Sequence, residues 1–187
     1  ISCEVKMKTH ENIEKVLITK EEIAEKVKET AEKLSADYKD KNPLMICVLK
    51  GAAMFFADLT RAMDIDVETD FMAISSYGGG TKSSGQIRLI KDVSINLVGR
   101  DVVIVEDIVD SGNTLKNLKT LLDARGARSV AACCLLSKPS RRTCDVGVEY
   151  VCFEVPDEFV VGYGLDYAEK YRNLDSVCVL RKEAIKS

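Results

Sequence analysis

Three stretches of this chain are apolar on consecutive residues, and they restrict its possible folds more than any other feature. Leu44–Leu49, residues 102–105 and residues 130–136 all lack the polar alternation of a strand with one wet face. A strand apolar on both sides has to be covered on both sides, as in a parallel sheet held between helical layers. Helical spacing fills the gaps. Thr19-Lys20-Glu21-Glu22 is a capping box, and Ile23, Val27, Ala31 and Leu34 recur behind it at helical intervals. Residues 52–63 predict a second helix, and Leu115, Leu118, Leu121 and Leu122 a third that stops at Gly126. Residues 67–74, 87–90, 150–155, 159–161 and 177–180 read as further strands.

Strand and helix alternate through the middle of the chain, so right-handed crossovers and a doubly wound α/β core are expected. At 187 residues and 46% hydrophobic content, one domain with a sizeable core is expected and general disorder is excluded. The core spans about residues 20–140. The N-terminal segment and residues from about 145 to 187 lack long helical periodicity and are expected to form a small hood over the carboxyl edge of the sheet.

Charge and targeting signals narrow the function. With 27 basic against 30 acidic residues the net charge is −3, which argues against a phosphate-tracking nucleic-acid surface. No stretch approaches the roughly 18 apolar residues of a membrane span, and no secretory signal pattern opens the chain, so a soluble cytoplasmic protein is expected. Seven cysteines, with no Cys-x-x-Cys pair, favour reduced buried thiols over disulfides or zinc. His10, the one histidine, has nothing nearby to orient or activate it.

In open α/β sheets ligands bind beyond the carboxyl ends of the strands. Beyond residues 102–105 comes Glu106-Asp107-Ile108-Val109-Asp110-Ser111-Gly112-Asn113-Thr114, and then the leucine-spaced helix. Small residues between strand and helix leave amides free to surround an anion, aided by the helix dipole. The preceding carboxylates would repel a bare phosphate. They fit if Glu106 and Asp107 face sugar hydroxyls or hydrated Mg²⁺ while the loop takes the phosphate. A plain surface turn with a helix cap is the alternative for a generic Asp-Ser-Gly-x-Thr, but the apolar run and acidic pair before it make this string far more specific. Gly80-Thr81-Lys82-Ser83-Ser84-Gly85 has Walker glycine spacing but continues into Gln86-Ile87, so a P-loop is excluded.

The string from 102 to 114 resembles the ribose-phosphate signature of the type I phosphoribosyltransferases, which use 5-phosphoribosyl-1-pyrophosphate. Residues 159–167 (Phe-Val-Val-Gly-Tyr-Gly-Leu-Asp-Tyr), with Tyr171-Arg172 after them, resemble the segment by which hypoxanthine-guanine phosphoribosyltransferases hold a 6-oxopurine. The resemblance runs from about residue 44 to 180. It implies a Rossmann-like type I phosphoribosyltransferase fold and a purine-salvage transferase yielding IMP or GMP and pyrophosphate, with Mg²⁺ as cofactor and a homo-oligomer, dimer or tetramer.

By the same resemblance, Asp110, Ser111, Gly112, Asn113 and Thr114 hold the 5′-phosphate, Glu106 and Asp107 the ribose, and Lys50, Gly51 and Arg172 the pyrophosphate. Lys138, Phe159, Val160 and Asp166 would hold the purine, while Glu106, Asp107 and Asp166 face metal. Ser76-Tyr77 would open a lid drawn from residues 75–85, a segment with four glycines and four serines. Asp110 is the expected general base. A lysine donates to a carbonyl oxygen but accepts nothing from an amine, so Lys138 at this position disfavours adenine. Ala52 stands where the family often has a second glycine, so Gly51 alone is carried over. A xanthine-preferring enzyme and a non-catalytic sensor of phosphoribosyl pyrophosphate are the competing readings; an acidic chain without an appended DNA-binding motif disfavours the sensor.

Overall fold

The computed structural model describes residues 11–76 and 87–185. Its elements in chain order are β1 (Ile13–Ile18), α1 (Lys20–Asp37), β2 (Leu44–Leu49), α2 (Ala53–Ala62), β3 (Glu68–Ser76), β4 (Ile87–Lys91), β5 (Asp101–Val109), α3 (Asn113–Ala124), β6 (Ser129–Ser137), β7 (Tyr150–Glu154), β8 (Val160–Val161) and β9 (Val177–Leu180). Six strands make a central sheet in the order β4-β3-β2-β5-β6-β7, parallel throughout except for antiparallel β4 on the edge. A second sheet, β1-β9-β8, is antiparallel and forms the hood.

The consecutive apolar runs split between two layers, because successive side chains of a strand face opposite ways. Met45, Cys47, Val103, Val105, Cys133 and Leu135 pack with Ile23, Val27 and Leu34 of α1 and Phe55, Phe56 and Leu59 of α2. Their neighbours Leu44, Ile46, Val102, Ile104, Ala132 and Cys134 pack with Leu115, Leu118 and Leu122 of α3. Burying each such large side chain contributes about 1.5–3 kcal/mol. The capping box forms as expected: Thr19 N–H donates to Glu22 Oε2 at 2.8 Å, and Glu22 N–H to Thr19 Oγ1 at 3.3 Å.

At the amino end of β5, Asp101 is 5% exposed and accepts from Arg128 Nε at 3.0 Å and Ser129 Oγ at 2.6 Å. The Arg128 hydrogen bond foremost, with Ser129 behind it, outweighs burial and holds the Asp101 carboxyl down at about 2. The six described cysteines are free, five of them buried. No helix among the described residues is long and apolar enough to cross a membrane.

Three details differ from the sequence expectation. β5 runs on to Val109, so Glu106 and Asp107 lie on the strand rather than beyond it; ladder bonds to β6 at Ile108 and Val109 are made by backbone and do not depend on apolar side chains. β7 extends the central sheet beside β6, although residues from about 145 onward were expected in the hood. The N-terminal part of the hood is an ordered strand, β1, paired with β9.

Candidate active site

The central sheet reverses its order of connection between β2 and β5: β2 leads through α2 to β3 on one side, and β5 through α3 to β6 on the other. Nothing crosses over the carboxyl ends at such a point, so a crevice opens there. A cleft of about 330 Å³ occupies it, lined among others by Lys50 and Gly51 from the end of β2, Glu106, Asp107 and Asp110 from β5 and its turn, and Arg172 from the hood.

The floor of the cleft is the amino end of α3. Gly112 is its N-cap with φ of 86°, a conformation glycine adopts without strain, and no side chain caps the helix. Ser111 Oγ accepts from Asn113 N–H at 3.4 Å, while the amides of Ser111, Gly112 and Thr114 donate to no acceptor among the described residues. The turn is backed by a second segment: a Cβ on Gly112 would meet Val146 Cγ1 at 2.8 Å, Arg142 Cδ at 3.0 Å and Cys144 Sγ at 3.2 Å. Ser111, Gly112 and Thr114 line the cleft, as expected for an anion cradle. The Asn113 side chain does not join them; its Nδ2 donates to Thr143 Oγ1 at 3.2 Å.

One wall is acidic. Burial pushes the Glu106 carboxyl well above its usual range, and the neighbouring Asp107 adds to the effect. Burial also raises Asp107, against the opposing effect of Ile108 N–H, which donates to its Oδ1 at 2.7 Å. Asp107 presses on the end of β2, since a Cβ on Gly51 would lie 1.6 Å from Asp107 Oδ2. Glycine at 51 is therefore required by close approach to a carboxylate as well as by any anion.

The hood closes the cleft from above. A Cβ on Gly164 would meet Gly51 O at 2.0 Å, so the two backbones touch. Arg172 Nη1 donates to Gly164 O at 2.8 Å, and Arg172 Nη2 pairs with Asp166 Oδ1 at 2.9 Å. Lys50 Nζ reaches across to Glu169 Oε2 at 2.9 Å.

Beside the cleft, Lys138 follows β6 and its N–H donates to Val109 O at 3.0 Å, which fixes it next to the end of β5. Its Nζ, 9% exposed with its side chain, donates to Glu158 O at 2.8 Å and lies 3.7 Å from Asp157 Oδ1. Phe159 is 43% exposed and stands at right angles to the Tyr167 ring, with ring centroids 5.6 Å apart; Val160 is buried in β8. Asp110 pairs with Arg141, Oδ1 to Nε at 2.7 Å, and Arg141 Nη1 lies 3.3 Å from Asp157 Oδ1. Asp110 and the buried Lys138 are thus joined by a bridge of charges through Arg141 and Asp157.

The sequence model of the phosphoribosyl transferase domain family matches residues 17–168. The chain belongs to this family. Among similar proteins, the hypoxanthine-guanine phosphoribosyltransferase of Streptococcus thermophilus is 51% identical over 172 residues, 92% of this chain and 96% of that protein. A crystal structure of a hypoxanthine phosphoribosyltransferase from Staphylococcus aureus superposes with a TM-score of 0.94 at 42% identity, covering 98% of this chain and all of that one. A Trypanosoma cruzi hypoxanthine phosphoribosyl transferase gives 0.90 at 42% identity, covering 95% and 96%.

In this phosphoribosyltransferase, Tyr77 of the expected lid and His10 lie outside the described residues, and of Ser76 only the backbone, at the end of β3, is described. Among the described residues no three His, Cys, Asp or Glu side chains converge as a closed metal cage. Half-buried Asp107, with Asp166 facing the same cleft, suits Mg²⁺ nonetheless, because that ion takes one or two carboxylates and fills its shell with water and phosphate oxygens. Glu169 and Arg141 were not picked out from the sequence. Each is one of many surface charges, and only tertiary contact marks it.

Proposed function

We propose that the chain works as a single phosphoribosyltransferase domain that moves the 5-phosphoribosyl group from phosphoribosyl pyrophosphate to hypoxanthine and guanine, giving IMP or GMP and pyrophosphate. The observation that carries this reading is the cleft between β2 and β5, which sets unbonded amides at the start of α3, an acidic pair and two cations around a space sized for a sugar phosphate. Ser111, Gly112 and Thr114 take the 5′-phosphate through their amides, where the dipole of α3 favours the anion. Asn113, its side chain turned to Thr143, joins them through backbone alone. Glu106 and Asp107 accept hydrogen bonds from the ribose hydroxyls.

Displacement at the anomeric carbon builds positive charge on the sugar and negative charge on the leaving pyrophosphate. Lys50, Gly51 N–H and Arg172 stabilise that leaving charge. The nucleophilic ring nitrogen of a 6-oxopurine must offer a lone pair, so the imidazole proton has to leave from the other nitrogen. Asp110, between the acidic pair and the phosphate loop, accepts it. Lys138 donates to the 6-oxo group, the main chain at Val160 reads the purine edge, and the exposed Phe159 ring stacks on the base. Asp107 and Asp166, with Glu106 behind them, would hold Mg²⁺, which when bound would supply charge neutralisation for the leaving pyrophosphate. A homo-oligomer and a cytoplasmic location belong to the same reading, and sedimentation tests the first.

The direct experiment mixes the protein with phosphoribosyl pyrophosphate, Mg²⁺ and hypoxanthine, guanine, xanthine or adenine in turn, and measures pyrophosphate and nucleotide. Nucleotide from the first two and none from adenine is expected. Turnover with xanthine in preference to both, or with no base, overturns the reading.

A further inference from the structure

The two cations assigned to pyrophosphate already share an anion. Glu169 Oε2 lies 2.9 Å from Lys50 Nζ and 3.4 Å from Arg172 Nη2, so one carboxylate oxygen collects a cation from the end of β2 and another from the hood. A phosphate oxygen bound there would do the same. The backbone is bent to allow it. Tyr167 and Lys170 pair across a tight turn whose middle residues, Ala168 and Glu169, have φ of 51° and 64°. That left-handed pair suits glycine or asparagine, and two ordinary side chains are strained in it. Glu169 N–H donates to Asp166 Oδ2 at 2.8 Å, while Asp166 Oδ1 holds Arg172. The turn is thereby anchored to the arginine it serves. The Lys50 contact foremost holds the Glu169 carboxyl below its usual range, so it is an anion at neutral pH.

We propose that Glu169 is an internal stand-in for the pyrophosphate group, which binds by displacing it from Lys50 and Arg172, and that this competition sets the affinity for pyrophosphate-bearing ligands. The idea rests on reading those two cations as the pyrophosphate site. Occupying them keeps two like charges from facing each other across an empty cleft. It also weakens product binding, so pyrophosphate leaves faster than the bare cations would permit. Glu169 is 65% exposed at its side chain and can swing out to solvent without opening the core.

The test compares the full chain with Glu169→Gln and Glu169→Asp in Mg²⁺ buffer. Exposed ion pairs are worth little individually, so removing the competing charge should lower KM for phosphoribosyl pyrophosphate and the inhibition constant of pyrophosphate together, by about two- to tenfold. The shorter Glu169→Asp carboxylate cannot reach both cations and should lie between. Affinity for IMP, which carries no pyrophosphate, should stay the same; a turn that merely lost its structure would move all three. Unchanged or weakened pyrophosphate binding in Glu169→Gln overturns the proposal. Lys50→Ala and Arg172→Ala separate the two levels. If they raise KM for phosphoribosyl pyrophosphate while Glu169→Gln does nothing, this inference alone fails, and if they have no effect, the pyrophosphate assignment fails with it.

Discussion

Replacing Gly51 by alanine perturbs the site by an amount that can be worked from the structure. The new Cβ would stand 1.6 Å from Asp107 Oδ2 and 2.6 Å from Asp107 Cγ. To reach ordinary contact at 3.4 Å the carboxylate must retreat by about 1.8 Å, the difference between those separations. The main chain at 51 has no room to retreat instead, because its carbonyl oxygen is wedged against Gly164. Asp107 therefore gives way, and it is the group proposed to face the ribose. A misplacement of about 1 Å in a positioned group can cost about 10²-fold, so kcat/KM for phosphoribosyl pyrophosphate should fall by at least that factor. Overpacking of this kind destabilises by about 1–3 kcal/mol, so the variant should still fold. Initial rates of IMP formation, with thermal unfolding as a control, measure both. A Gly51→Ala enzyme that keeps its kcat/KM within about threefold would refute the argument, since an effect of that size is far below the cost expected for the displaced carboxylate.

Other outcomes follow from the same geometry. Asp110→Asn should reduce turnover by about 10²- to 10⁴-fold at saturating substrates, the usual range for a general base, and an unchanged kcat removes Asp110 from that role. Lys138→Gln should raise KM for hypoxanthine and narrow the discrimination against adenine; competition assays with the two bases decide it. Asp101, held at about 2 against an ordinary 3.8, contributes stability that is present above pH 3.8 and is lost as pH falls toward 2. With Arg128 largely exposed, the contribution is discounted to about 1 kcal/mol. The stability gap between wild type and Asp101→Asn, measured by urea titration, should be open at pH 6 and closed near pH 2.

The layered core was legible because its signals are local. Leu44–Leu49 is apolar on both faces for a reason visible in the sequence, and Thr19 with Glu22 announces a helix start from a spacing of three. The loop after β5 was legible as part of a cleft because an apolar run and an acidic pair precede its small residues, which a plain capped turn does not require. β1 was not, since its pairing with β9 shifts register between Ile13 and Lys15 and again between Val16 and Ile18, which erases a strict two-residue alternation. The carboxyl end of β5 was hidden by its own chemistry: Glu106 and Asp107 break the apolar run while the backbone ladder continues. Arg141 and Glu169 were not singled out, because the contacts with Asp110 and Lys50 that bring them to the cleft come from distant parts of the chain.

The hood sheet ties the earliest described strand to the last, β1 to β9, with β8 on the far edge of β9. A ribosome therefore delivers β2, β5, the turn into α3 and the segment at Arg142, Cys144 and Val146 that backs that turn before β9 emerges to seat β1 and brace β8. On the proposed assignment of the base contacts to residues 159–166, the seat for the base is the last part of the site that the growing chain braces.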